Sequence, residues 1–220
     1  MIKRLDNFVR DKTLRLPPNW QRWLDIYIFL NIAVFFIWQS WKVIAEGRLN
    51  FIEGVFIVHN IIFCLCFILR RPARAISFSL SHQMVAVGAF YSGLLFVGAE
   101  ATNVIFLERL AWWLMLAGLV IGLISLLQLG RSFGVLVALR EIKTRGLYAL
   151  VRHPMYLSDI LMRLAYFLSH PTALVGVLFL GSSACYVVRA VFEERFIAGE
   201  DPAYLEYMKA VRYRFIPGIF

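Results

Sequence analysis

Residues 152–172 read RHPMYLSDILMRLAYFLSHPT, and the way this stretch divides decides the fold. Its apolar part, Tyr156 to Leu168, holds thirteen residues. At about 1.5 Å per residue it rises roughly 20 Å, too little to cross a bilayer core of about 30 Å alone. Ser169-His170-Pro171-Thr172 then breaks the run. Pro171 has no amide to give to a continuing helix and suits the first turn of the next one. That next apolar run, about 172–195, is long enough to cross. The two pieces are expected to form a hairpin of one short and one full helix.

Working outward, four upstream runs have the length of a span, about 20 residues: 24–45, 51–69, 80–99 and 110–130. The chain is 60% hydrophobic and 17% charged, with mean hydropathy +0.70. Soluble domains carry about 25% charged residues, so the composition is that of an integral membrane protein. The expected fold is all-α: a polytopic helical bundle of four spans plus the C-terminal hairpin, with a cofactor pocket at its cytoplasmic end. Three regions follow: an amphipathic N-terminal segment over 1–23, four transmembrane helices over 24–130, and a catalytic region over 131–220.

The net charge of +9 raises the question of nucleic acid. The basic residues sit in short loops between apolar runs, which is a topology signal instead. Residues 1–23 hold six Lys and Arg, 70–79 three, 131–152 five and 189–220 five. With six crossings all four regions fall on one side, the cytoplasm, together with both termini. In the first segment Ile2, Leu5, Phe8 and Val9 are helically spaced among Lys3, Arg4, Arg10 and Lys12. This suits a helix lying on the membrane surface, and the segment lacks the apolar core and cleavage site of a signal peptide.

Several polar or small residues within spans have plain structural readings. Gly118 and Gly122 form G-x-x-x-G, a close helix-packing face. His59, Asn60, His82 and Gln83 are expected to be interhelical hydrogen bonders. Cys64, Cys66 and Cys185 lie in apolar runs without further ligands at zinc spacing, so they read as packing.

The sequence has no G-x-G-x-x-G after a strand, no P-loop, no G-x-S-x-G and no H-E-x-x-H, and no metal is expected. Its chemistry-bearing residues gather in two places. In the loop, Gly146 permits a turn. Pro154 at a helix start leaves free amides that favour an anion, and Arg152 and His153 add donors there. This is a seat for the carboxylate of a small zwitterionic cofactor. At the hairpin's end, Arg189 and Glu193 are four apart and share a face, with Glu194 beside them. Counting rises down the longer helix puts Glu193 roughly 12–14 Å beyond Tyr156, level with the loop. The two places are expected to face each other across one pocket. Asp159 and Arg163, four apart on the short helix, are either an internal ion pair or a functional pair in which Arg163 recognises an anionic head group.

The Arg152-His153-Pro154-Met155-Tyr156 loop and the distal Glu193-Glu194, followed by Asp201-Pro202-Ala203-Tyr204-Leu205-Glu206-Tyr207 and Val211-Arg212-Tyr213-Arg214-Phe215-Ile216-Pro217, resemble the isoprenylcysteine carboxyl methyltransferase family. Phospholipid N-methyltransferases are among its relatives. The resemblance covers about 128–220. It implies S-adenosylmethionine as cofactor, held without a Rossmann fold. Ile142, Lys143, Tyr148, Arg152, His153, Pro154, Met155 and Tyr156 would line it, with Glu193 and Glu194. Glu193 would hold the cofactor's ammonium or ribose and act with Arg189 in catalysis. Arg189 and Arg163 would meet the acceptor. The implied acceptor is lipidic or prenylated, with its tail among membrane lipids. The family usually has glycine two residues after the motif tyrosine; Ser158 stands there and is expected to narrow the space beside the cofactor.

Transfer from a sulfonium is an in-line displacement that needs positioning and desolvation more than acid–base help. Three other readings compete with a carboxyl methyltransferase. A phospholipid N-methyltransferase would use the same cofactor. An NADPH-dependent sterol or isoprenoid reductase would need a larger pocket and phosphate-binding cations such as Lys143 and Arg145. A non-enzymatic membrane protein or transporter would spread its polar residues along midplane helices, with repeats.

Overall fold

A computed structural model describes residues 20–47, 49, 51–69, 71–96 and 104–219. The surface helix expected over 1–23 falls almost wholly outside the described residues, as does the Asn60 side chain. The elements run α1 (Trp20–Ala45), α2 (Phe51–Ile68), β1 (Ala75–Ile76), α3 (Leu80–Tyr91), α4 (Ile105–Leu129), β2 (Ala138–Leu139), α5 (Pro154–Ser169), α6 (Ala173–Glu200) and α7 (Ala203–Ala210). Short 3-10 turns follow α3 (Ser92–Leu95) and α4 (Gly130–Ser132) and precede α5 (Gly146–Ala149).

Among the described residues three helical stretches are long and apolar enough to cross a membrane: Ile26–Ala45, Ile105–Ser132 and Ala173–Glu200. α2 carries a shorter apolar stretch, Ile57–Cys66. The third expected span differs most. α3 stops after twelve residues and tightens into a 3-10 turn. The Ala89 carbonyl near its end accepts from Ser92 Oγ at 2.7 Å and from Arg163 Nη2 at 3.5 Å. Side chains thus compete for the carbonyls that a continuing helix would use.

The hairpin forms as the hydrophobic count requires. α5 has 16 residues and α6 has 28. Pro171 stands just ahead of the second helix rather than in its first turn. Thr172 caps that helix, its Oγ1 accepting from Val175 N at 3.2 Å, which satisfies one of the orphan amides of a helix start.

α5 packs on α4 along the two glycines. A Cβ at Gly118 would lie 2.8 Å from Met162 Cγ and 3.2 Å from the Ser158 carbonyl, and one at Gly122 would lie 2.5 Å from Ser158 Oγ. Ser158 is fully buried in this seam. It fills the hollow over Gly122 and does not narrow a pocket, contrary to expectation. Gly122→Ala should therefore lower stability by about 1–3 kcal/mol, the range for overpacking. Ser158→Gly in the same background should recover most of that loss, read as the thermal unfolding midpoint in detergent.

The fold is mostly helical, as expected, with a small β ladder added. β1 and β2 pair antiparallel, Ala75 with Leu139 and Ile76 with Ala138. Two-residue strands leave no alternating pattern long enough to read in sequence. Gln83 holds the ladder to α3: its Nε2 donates to Ser77 O (2.7 Å) and Val137 O (3.1 Å), and its Oε1 accepts from Val137 N (3.1 Å). Gln83 is thus a bonder between helix and ladder rather than between helices. His82 does similar work, with Nδ1 2.8 Å from Ser77 Oγ and its ring stacked on Phe192.

Candidate functional site

The loop between α4 and α5 is shaped from both ends. Gly146 has φ +65°, and a Cβ there would overlap the Gln128 side chain. Gln128 Oε1 instead accepts from Leu147 N at 2.9 Å. A residue with no Cβ is needed for both reasons. The turn that follows presents Tyr148 to the interior. Beyond it, Arg152 N donates to Tyr213 O (2.9 Å) and His153 N to Arg214 O (2.8 Å). The C-terminal tail therefore lies directly along the loop. α7 holds it there, Tyr207 Oη donating to Tyr148 O at 2.7 Å.

Glu194 is the centre of a buried knot. Its Oε1 lies 2.7 Å from Arg152 Nε and 3.0 Å from His153 Nε2, and its Oε2 accepts from Arg214 Nε at 2.9 Å. Arg152 Nη1 also donates to the carbonyls of Val211 and Arg212, each at 2.7 Å. Loop, helix and tail are joined by one carboxylate. Glu193, one residue earlier, accepts from the Tyr156 hydroxyl. The His153 ring stacks on Tyr156 at 5.1 Å.

Between these groups lies a cleft of about 780 Å3, counting the space open to solvent. Of the residues expected to hold a cofactor, Ile142, Lys143, Tyr148, Arg152, His153, Met155, Tyr156 and Glu193 line it. The loop and the hairpin's end do face each other.

Four expected site residues do not line the cleft. Pro154 starts α5 with its ring buried. Glu194 is turned to Arg152, His153 and Arg214 and is 2% exposed. Arg189 is 3% exposed: Nη2 donates to Val135 O (2.6 Å) and Gly134 O (3.1 Å), and Nη1 to Ala86 O (3.4 Å). It lies 3.7 Å from Glu193 and over the Tyr156 ring, so it touches the wall from behind. Arg163 is also 3% exposed and sits deeper in the bundle. Its Nη1 is 3.3 Å from Asp159 Oδ1 and its Nη2 donates to Tyr186 Oη at 3.3 Å. This is the internal pair, tying α5 to α6 and to the turn after α3. A guanidinium already held by protein acceptors has few donors left for a ligand.

Arg140, Ser132, Gly134 and Ile197 also line the cleft, with Tyr204 and Tyr207, and are not among the expected site residues. Arg140 reads in sequence as loop charge. Tyr204 and Tyr207 enter the family resemblance, and their three-residue spacing on one face of a short helix is the signal that they point inward. Burial pushes the hydroxyls of Tyr148, Tyr204 and Tyr207 above the usual tyrosine range, so these walls are neutral near pH 7. Burial also lowers the Arg140 guanidinium to about 10, against the opposing pull of Glu193. At the rim, Lys143 pairs with Glu141 at 2.8 Å. The cleft thus offers the Glu193 carboxylate, with that of Glu141 taken up by Lys143 at the rim, neutral aromatic walls and cations around them. Such a set can orient a ligand that carries both signs of charge.

Residues 107–200 match the family described as phospholipid methyltransferase. The match covers less than half of the chain and runs from the start of α4 to the end of α6, leaving α7 and the tail outside it. No curated protein matches the chain. This part of the chain is thus similar to a family of methyltransferases, and among the described residues three helical stretches are long and apolar enough to cross a membrane.

Proposed function

We propose that this protein is a membrane methyltransferase that uses S-adenosylmethionine and acts on a lipidic or isoprenoid-type acceptor, methylating a carboxylate. The observation that carries the reading is the contact of Tyr156 with Glu193 inside a cleft walled by the loop and the end of α6. Two further features support the fit of a zwitterionic cofactor. The Tyr148 hydroxyl is buried without a hydrogen-bond partner. The first helical bond of α5 runs from Leu157 N to His153 O at 3.1 Å, so the Met155 and Tyr156 amides have no helical acceptor and favour an anion.

In this reading the α5 amides hold the cofactor's carboxylate, Glu193 its ammonium or ribose, and Tyr148 offers a donor. Bound there, the cofactor supplies an electrophilic methyl group. Tyr156 fixes Glu193, and Arg189 supports the Tyr156 ring from behind. The Glu194 knot holds Arg152 and His153 in the wall. Positioning and exclusion of water carry the rate, in keeping with an in-line displacement. In this reading the cleft opens at the cytoplasmic face, the side assigned to the basic loops by their charge, and the acceptor's tail remains in the bilayer. A phospholipid amine is the second reading, favoured by the family match.

The test is calorimetric binding of S-adenosylhomocysteine to the purified protein in neutral detergent, with NADPH as the comparison. Micromolar binding of the first and none of the second is expected. The reverse would sink the proposal in favour of a reductase. Transfer of a labelled methyl group to a prenylated N-acetylcysteine or to phosphatidylethanolamine vesicles then separates the two acceptors.

A further inference from the structure

Four guanidinium or ammonium groups lie in or against the cleft walls, and three are committed. Arg152 is held by Glu194 and two carbonyls. Lys143 pairs with Glu141. Arg189, behind the wall, is held by three carbonyls. Arg140 differs. The Nε atoms of Arg140 and Arg189 are both buried without a hydrogen-bond partner, but the Nη atoms of Arg189 are held by carbonyls, whereas among the described residues no carboxylate or carbonyl is hydrogen-bonded to the Arg140 side chain.

The fold makes room for this group. A Cβ at Gly134 would overlap the Arg140 guanidinium, so the side chain packs flat on backbone where other residues would exclude it. Gly134 is fixed in turn, because its carbonyl accepts from Arg189. The position is held, yet the donors are unused. Burying an unpaired cation is costly, and an anionic ligand offsets that cost. The guanidinium fork matches carboxylate and phosphate oxygens bidentately. The neighbouring lining residues Leu129, Ser132 and Phe133 lie at the end of the membrane-length stretch Ile105–Ser132, the side from which a lipid would arrive.

We infer that Arg140 holds the anionic oxygen group of the acceptor, a carboxylate or a phosphate, in this cleft. The inference rests on the methyltransferase reading and gives Arg140 the role that sequence assigned to Arg189. Arg189 becomes a positioning residue, because both of its Nη atoms are bonded to backbone carbonyls, among them that of Gly134.

The experiment uses the full chain in neutral detergent, saturated with S-adenosylhomocysteine. Dodecanoate and dodecyl phosphate are titrated as probes, with dodecanol as the neutral control. Wild type should bind at least one anion, and which of the two it prefers identifies the acceptor's group. Arg140→Gln should weaken that binding at least tenfold, leave dodecanol unchanged and leave S-adenosylhomocysteine affinity within threefold. Arg140→Lys should retain part of the anion affinity. Gly134→Ala, which displaces the guanidinium without removing its charge, should weaken it as well. Equal anion binding by wild type and Arg140→Gln would overturn the inference. So would loss of S-adenosylhomocysteine binding in Arg140→Gln, which would place Arg140 on the cofactor. Failure of wild type itself to bind S-adenosylhomocysteine would instead defeat the methyltransferase reading.

Discussion

Glu194→Ala should destabilise the protein by about 3–5 kcal/mol, the range for removing one partner of a buried ionic group. Three side chains converge on this carboxylate from two segments distant in sequence: Arg152 and His153 from the loop, Arg214 from the tail. Truncation leaves Arg152, itself 7% exposed, with only backbone acceptors. The loss should appear as a large drop of the thermal unfolding midpoint in detergent. It should also speed proteolysis of the tail after α7, since Arg214 is released. Glu194→Gln keeps the shape and an acceptor oxygen, so it should cost less. Replacing Arg152 by Met together with Glu194→Met should recover part of the deficit, because no buried charge is then stranded on the loop side. A midpoint shift no larger than that of Glu206→Ala, whose partner Lys209 is equally exposed, would refute the account.

Glu193→Gln should act on ligand binding instead. The side chain is 16% exposed on the cleft, and its partners are the Tyr156 hydroxyl and, at 3.7 Å, Arg189. Neutralising it removes a charge-assisted bond to the proposed cofactor ammonium, worth about 1.5–3 kcal/mol. S-adenosylhomocysteine binding should weaken by about 10- to 100-fold on the same scale, with little change in unfolding midpoint. Tyr156→Phe, which leaves the carboxylate but frees it to move, should weaken binding less than Glu193→Gln. Unchanged affinity in Glu193→Gln would remove Glu193 from the site. The adjacent glutamates thus separate: one change should be read in stability, the other in affinity.

The hairpin was legible because length alone decides whether an apolar run can cross. Sixteen residues in α5 against 28 in α6 follow from where the polar break falls. The Gly118 and Gly122 seam was legible for a similar reason, since small residues four apart on an apolar helix have few uses other than close packing. What could not be read depends on which acceptor a buried donor finds. Arg189 and Glu193 are four apart, and that spacing suggested a pair facing a ligand. The arginine instead turned to Ala86, Gly134 and Val135, residues whose nearness is a property of the tertiary fold. Arg140 went unnoticed for the converse reason: a cation in a basic loop looks like topology until its neighbours are known to be committed elsewhere. Ser158 looked like an intruder beside a cofactor and proved to be the filling over Gly122.

The tail's backbone bonds to Arg152 and His153 have a consequence for biosynthesis. The ribosome delivers the loop, and then the hairpin, ahead of Tyr213 and Arg214. Insertion of α4 to α6 can therefore be complete while the wall formed by α7 and the tail is still missing. Closure of the cleft is thus a later event than synthesis of the hairpin. A nascent chain halted after α6 would lack Tyr204, Tyr207 and Arg214, and with them one wall of the cleft and one partner of Glu194.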